Sequence, residues 1–183
     1  MERAHRGIRK ACEIDPLNAW AIAIDAFCSG LTDRIDEGVA RARQAVALDP
    51  ENFTARWALV WTLSGSGHQD AALHEADSAL LMSGRAPRLL TEVAAIHAAQ
   101  GNAAAAEAVY EELRGRAATG YVGWSEQAAA AASAGRLDEA RRLVAQGIEA
   151  RDPYLLFWKL PGWAPLRADA EAMKLLRSTG ITG

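Results

Sequence analysis

The sequence predicts an all-α protein, a right-handed α-solenoid of helix-turn-helix repeats closed by a C-terminal capping segment. Three observations predict it. Gly67, Gly101 and Gly135 stand 34 residues apart. A second ladder of small residues, Gly38, Ala72, Ala106 and Ala140, keeps the same 34-residue step at a fixed offset. Pro16 and Pro50 repeat the step once more inside the paired strings EIDP and ALDP. A fixed period of this length marks stacked two-helix units, none of which can bury its apolar face alone.

Setting position 1 three residues after each DP proline gives four repeats, 19–52, 53–86, 87–120 and 121–154, within a single domain of residues 1–183. Ahead of them, residues 1–18 keep the register of a second helix without its first. Ala4, Ile8, Ala11 and Cys12 are expected on one face, with Glu2, Arg3, Arg6, Arg9, Lys10 and Glu13 around the rest. This half repeat reads either as an N-terminal cap helix or as the end of a longer array. The first helix of each repeat is expected over roughly 19–30, 53–64, 87–99 and 121–134, and the second over roughly 35–48, 69–82, 103–116 and 137–150.

The glycine ladder falls where each first helix stops, because a helix commonly ends on a left-handed residue and glycine adopts that conformation cheaply. Asp36, Asp70 and Asp138 follow near the positive end of the next helix. The small ladder sits where the two helices of a repeat cross. After Tyr154 the string LLFWKLPGWAPLR, with two prolines and a glycine, breaks the period. Residues 155–183 therefore read as a C-terminal cap, ending in an amphipathic helix entered at Asp169, closed at Gly180, and facing inward through Ala172, Met173, Leu175 and Leu176.

Composition narrows the function classes. Twenty basic residues against 23 acidic ones, interleaved, give a net charge of -3 and no basic stripe, which disfavours nucleic acid as a partner. No apolar run is long enough to span a bilayer and the first ten residues carry charges throughout, so the chain reads as soluble and cytoplasmic with no membrane partner. Cys12 and Cys28 stand outside any CxxC pair and suggest packed, reduced thiols. His74-Glu75 begins like a zinc helix, but Ser78 stands where the second histidine ligand belongs. Gly65-Ser66-Gly67 lies between two helices with Asp70 in place of a third glycine, and reads as a turn. No Ser, His and Asp share a supportable spacing. The expectation is a non-enzyme with no catalytic residue, metal or cofactor.

With those residues in hand, the chain resembles tetratricopeptide (TPR) proteins over about 19–153. The likeness is carried by Leu59, Gly67, Ala72 and Ala79, then Gly101, Ala106 and Tyr110, then Trp124, Gly135 and Ala140. Departures are Asp25 at the usual leucine position, Gly84 and Ala118 for the closing proline, and Gly147 for a helix alanine. The resemblance implies a protein-protein interaction module, a scaffold that takes a partner's peptide or helix in a concave groove lined by the first helices. Trp20, Phe27, Trp57 and Trp61 are the groove residues it implies in the first two repeats, and Arg88 and Glu92 those in the third. Trp57 and Trp61 are the expected anchor, with packing into the core as the competing reading. Arg88 alone is too little for a carboxylate clamp. The ending, RDPYLLFWKLPGWAPLRADAEAMKLLRSTG, looks like the close of TPR regions in bacterial multidomain regulators. That likeness implies a sensory or docking role, beside the further alternative of homodimer assembly.

Overall fold

The structure is a computed structural model and describes residues 2–181; Met1, the Glu2 side chain, and residues 182 and 183 of the expected cap lie outside what is described. It is all-α, and its helices keep the 34-residue step. The elements are α1 (Glu2–Ile14), α2 (Ala19–Gly30), α3 (Ile35–Leu48), α4 (Phe53–Gly65), α5 (Gln69–Met82), α6 (Pro87–Ala99), α7 (Ala103–Ala117), α8 (Trp124–Ser133) and α9 (Leu137–Glu149). Two 3-10 turns, Pro153–Phe157 and Pro161–Trp163, lead to α10 (Ala164–Ala168) and α11 (Ala170–Arg177). The chain divides into two compact units, Met1–Arg85 and Ala86–Gly183, at the seam between the second and third repeats.

Within the first unit each helix packs on the next, and α2 also packs on α4. The second unit repeats the pattern with α6 against α7 and α8, and α8 against α9. Neighbour-plus-next-first-helix packing is what a stack of two-helix repeats requires. The crossing positions are closed as the small ladder predicts: Ala72, Ala106 and Ala140 are fully buried. At Gly38 an added Cβ would stand 3.0 Å from the Ala26 carbonyl oxygen and 3.1 Å from Thr62 Cγ2, so α3 can approach α2 only without a side chain there.

The turn chemistry explains two of the ladders. Gly67, Gly101 and Gly135 have φ of 84°, 74° and 79°, and the next residues, His68, Asn102 and Arg136, donate back to Leu63, His97 and Ala131 carbonyls at 2.8–2.9 Å. This is the left-handed helix stop. One step upstream the same role falls to Asp33, with φ of 59° and Arg34 N donating to Ser29 O at 3.0 Å. Aspartate is among the few residues that tolerate the left-handed region, so repeat 1 keeps the turn without the glycine. In the DP turns, Asn18 and Asn52 accept from Ala21 N and Ala55 N at 2.9 and 3.1 Å, capping α2 and α4. Asp15 and Asp49 in turn hold those asparagines, each accepting from the side-chain amide at 3.3 Å.

Two expectations need correction. The first helix of repeat 4 begins at Trp124, not 121, because Gly123 is extended (φ -58°, ψ 144°) and serves as the cap residue. Glu126 Oε2 accepts from Gly123 N at 3.0 Å, while Asp152 Oδ2 accepts from both Ser125 N and Ser125 Oγ at 2.9 and 2.8 Å. Gly147 is then explained: an added Cβ would lie 3.2 Å from the Trp124 Cβ, so the helix alanine of other repeats would fit here only if α8 or α9 gave way by a few tenths of an ångström. The second correction concerns α1, whose buried residue is His5 (3% exposed), whereas Ala4 is exposed and Ile8, Ala11 and Cys12 are half-buried. Polar contacts, more than an apolar stripe, attach α1 to α2.

The C-terminal segment covers the second unit. Helices α10 and α11 pack on α9, and Ala172, Met173 and Leu176 are buried with Leu175 half-buried. Asp169 caps α11 by accepting from Ala172 N at 2.8 Å and is held by Arg141, which donates through Nε at 3.0 Å and through Nη2.

Candidate functional site

In the first unit the expected groove residues of α2 and α4 form one aromatic cluster. The Phe27 ring centroid lies 4.6 Å from that of Trp57 and 5.3 Å from that of Trp61, both tilted, within the range where aromatic pairs attract. Their exposures are 9%, 7% and 2%, so the three rings spend most of their surface on each other and on the helices beneath. Trp61 lies across the end of α2, where an added Cβ at Gly30 would come within 2.5 Å of its ring. Its Nε1 is buried with no hydrogen-bond partner. Trp20, the second residue of α2, is different: it stands 56% exposed. Ile24, one turn further along α2, and Leu31, at the far end of the helix, are half-buried.

In the second unit the corresponding face is already occupied by the chain itself. The second 3-10 turn packs on α6 and α8, with the backbone of Gly162 so close that an added Cβ would meet Thr91 Cγ2 at 3.6 Å and Ala95 Cβ at 3.7 Å. Thr91 and Ala95 stand one 34-residue step after Trp57 and Trp61. The same register positions are therefore filled by indole rings in one unit and left small in the other, where a Pro-Gly-Trp turn fills them. Leu160 and Trp163 are 6% and 4% exposed, and Arg167 Nη1 donates to the Trp158 and Leu160 carbonyls at 2.9 and 2.6 Å, fixing the loop from its far side. Burial of that guanidinium lowers its pKa from the ordinary arginine value.

Arg88 and Glu92, expected to extend a groove, are engaged within this unit. The Arg88 guanidinium lies over the Tyr154 ring at 3.8 Å from the centroid and its Nε is 3.5 Å from Glu126. Glu92 is 2% exposed, Oε2 has no hydrogen-bond partner, and burial pushes its carboxyl up to about 8 despite the nearby Arg88. Burial thus outweighs the opposing charge of Arg88 and favours the protonated carboxyl at neutral pH.

Sequence reasoning missed a third cluster. Asp25, fully buried in α2, accepts from His5 at 2.8 Å and lies 3.1 Å from Arg41 Nε and 3.8 Å from Arg9 Nε. Ser29 Oγ lies 3.5 Å from His5, so Ser, His and Asp do meet in space. They do not form a nucleophilic triad. Both side chains approach the same imidazole nitrogen, Nε2, whereas proton relay needs the acid on one nitrogen and the nucleophile on the other. Ser29 is also fully buried. The signal in the sequence was Asp25 itself, a charge at a leucine position inside AWAIAIDAFCSG. Among the described residues no group of three or more His, Cys, Asp and Glu side chains could hold a metal ion, and no helix is long and apolar enough to cross a membrane.

No protein-family model and no curated protein matches the chain. Solved structures do. One, of Naa15/Naa10 bound to HypK-THB, aligns at 14% identity with a TM-score of 0.53 over 96% of this chain and 31% of that one. The chain thus spans about a third of that relative's length. Another, YrrB, described as a TPR protein with an unusual peptide-binding site, aligns at 17% identity and a TM-score of 0.49 over 95% of this chain and 91% of that one. At such identities the likeness concerns the fold alone, and the first agrees with an all-α solenoid.

Proposed function

We propose that the chain is a non-catalytic protein-interaction module that takes an apolar, extended segment of a partner protein along α2 and α4, with Trp20 as anchor. The observation that carries this reading is the docking of the chain's own Leu160-Pro161-Gly162-Trp163 onto α6 and α8. The face of α6 and α8 accepts an irregular apolar turn of the chain itself, which supports the same use of the face of α2 and α4. On α2 and α4 the indoles of Trp57 and Trp61 are only 7% and 2% exposed, so a partner gains most of its contact from Trp20. Burying the rest of an indole is a typical interface hot spot.

The test is selection of a random peptide library on the intact chain. Enriched peptides should be apolar, and Trp20→Ala should weaken them about tenfold or more, the scale of a hot-spot loss. Leu81→Ala, a control at a residue 86% exposed on α5, should leave binding unchanged. Enrichment insensitive to Trp20→Ala would sink the assignment.

One observation favours a second reading, self-association. Ile14, Leu17 and Trp20 are 75%, 73% and 56% exposed within seven residues, an apolar concentration of the kind that marks a contact surface. Light scattering across a concentration series separates the readings: a dimer lost in Trp20→Ala supports self-association, a monomer supports a different partner.

A further inference from the structure

Three register positions are enclosed in α3, α5, α7 and α9 but stand open in α1. Gly38, Ala72, Ala106 and Ala140 follow Ala4 at the 34-residue step, and all four are buried. Ala42, Ala76, Tyr110 and Val144 follow Ile8 and are buried as well. So are Ala45, Ala79, Leu113 and Gly147, which follow Ala11. In each of those repeats the first helix packs on the second, α2 on α3, α4 on α5, α6 on α7 and α8 on α9. In α1, which packs on α2, Ala4 is exposed while Ile8 and Ala11 are half-buried.

The open face is longer than those three residues. Gly7 and Ile14 join it at helical spacing, Gly7 with nothing within 4 Å of an added Cβ and Ile14 75% exposed. An apolar stripe of this kind is what a helix ordinarily buries against a neighbour. The attachment of α1 to the first unit uses another side of the helix, where His5 meets Asp25 at 2.8 Å and Arg9 donates to Glu37. Arg3 and Lys10, both exposed, stand one turn before Gly7 and Ile14 and border the stripe on the side opposite His5. Lys10 pairs with Glu13 at 3.1 Å, with the two side chains 70% and 67% exposed. A pair so solvated contributes little, and the ammonium has donors to spare for a second carboxylate.

We propose that the open face of α1 docks an amphipathic helix of a different protein, which lies there as a first helix lies in each repeat and sets acidic side chains against Arg3 and Lys10. The packing continues an arrangement the chain already makes four times. Where α2 crosses α3 it presents the Ala26 carbonyl to Gly38, and Ala26, Val60, Ala94 and Ala128, which share that register, are fully buried. The incoming helix therefore carries a small residue opposite Ala4 and apolar ones toward Ile8 and Ile14. A second copy of the chain does not supply it. Its first helices are packed on their own second helices, and the apolar side of α11 is buried on its own unit through Ala172, Met173 and Leu176. Pairing α1 with α1 would set together two helices in which cations outnumber carboxylates four to two.

The test displays a library of peptides of about 16 residues, near the length at which an isolated helix begins to form. Each carries a fixed apolar face of Leu and Ala, and the positions bordering that face are randomised among Glu, Lys and Gln. Selection on the intact chain should enrich Glu over Lys at the border. The enriched peptide, followed by fluorescence anisotropy, should bind one to one. Ala4→Gln, which puts a long side chain at the crossing, and Ile14→Ser, which removes apolar contact, should each weaken it about tenfold. Leu81→Ser, an equal loss of apolar surface from a residue 86% exposed on α5, should leave it unchanged. Ala4 and Ile14 are exposed, so both variants should fold, and their melting temperatures without peptide check this. None of the variants alters α2, so the result is independent of the surface at Trp20. Enrichment of Lys, no charge preference, no enrichment at all, or equal binding to Ala4→Gln would each overturn the proposal. So would light scattering that finds the peptide-free chain dimeric and Ala4→Gln monomeric, since a second copy would then hold the face.

Discussion

Glu92 shows how far a single residue can depart from its ordinary chemistry here. Its carboxyl is 2% exposed, lacks a partner on Oε2 and is pushed up to about 8 by burial. The folded state therefore binds a proton that the unfolded chain releases near its ordinary value. Stability from this group is full below about pH 4.5, falls as pH rises, and levels off above about 8. Glu92→Gln removes the titrating proton but keeps the shape, so its melting temperature should exceed that of the parent chain by a margin that grows from pH 5 to pH 8; a margin independent of pH would contradict the assignment. Gly30 is a second such position. A methyl there meets Trp61 ring carbons at 2.5 Å, so the ring, packed on Phe27, must shift to admit it. Gly30→Ala should cost roughly 1 to 3 kcal/mol by overpacking, visible as a fall of several degrees in thermal unfolding. Neither effect was legible in the sequence: glycine at position 30 read as the end of a helix, and Glu92 as a groove side chain, because burial depends on what another element lays over a residue.

At the scale of elements, what repeats was legible and what departs from the repeat was not. Helices α2, α3, α5 and α6 occupy the expected spans because glycine stops, caps and the small ladder are local, and local chemistry repeats with the sequence. Helix α8 starts late, at the cap residue Gly123, and the carboxylate that receives Ser125 N and Oγ in its first turn, Asp152, comes from beyond α9, a partner no window around residue 121 contains. Asp25 and Gly147 looked like defects in the repeat and are instead adapted to neighbours, His5 with two arginines in one case and Trp124 in the other. The tail was foreseen as a cap on the last repeat, and it also fills the face of α6 and α8. Its anchorage gives a prediction. Arg141 holds the Asp169 carboxyl well below its ordinary value, to about 2, so the stabilisation is present above about pH 4 and is lost as pH falls toward 2. Hydrogen exchange of α11 amides should accelerate across that interval before the amides of α8 do, and Arg141→Ala should bring the same acceleration at neutral pH. Unchanged exchange in α11 on losing Arg141 would mean that apolar packing of Met173 and Leu176 alone secures the cap.

For the whole molecule, the two units use one repeat in two ways. In the second, small residues at the positions of Thr91 and Ala95 receive the chain's own Pro-Gly-Trp turn; in the first, the matching Trp57 and Trp61 fill the space with their rings and leave Trp20 standing out. The period in the sequence announces the repeats but is silent on this division, since it depends on which segment returns to which face. If the first unit is the working surface, contact with a partner must pass through Trp20. The direct measurement places a photo-reactive phenylalanine analogue at position 20 in one variant and at position 81 in another, and irradiates each in extract of the native host. The account predicts a discrete adduct at position 20, heavier than the chain by a mass other than its own, and none at position 81. Adducts at both positions alike, or none at position 20, would contradict it.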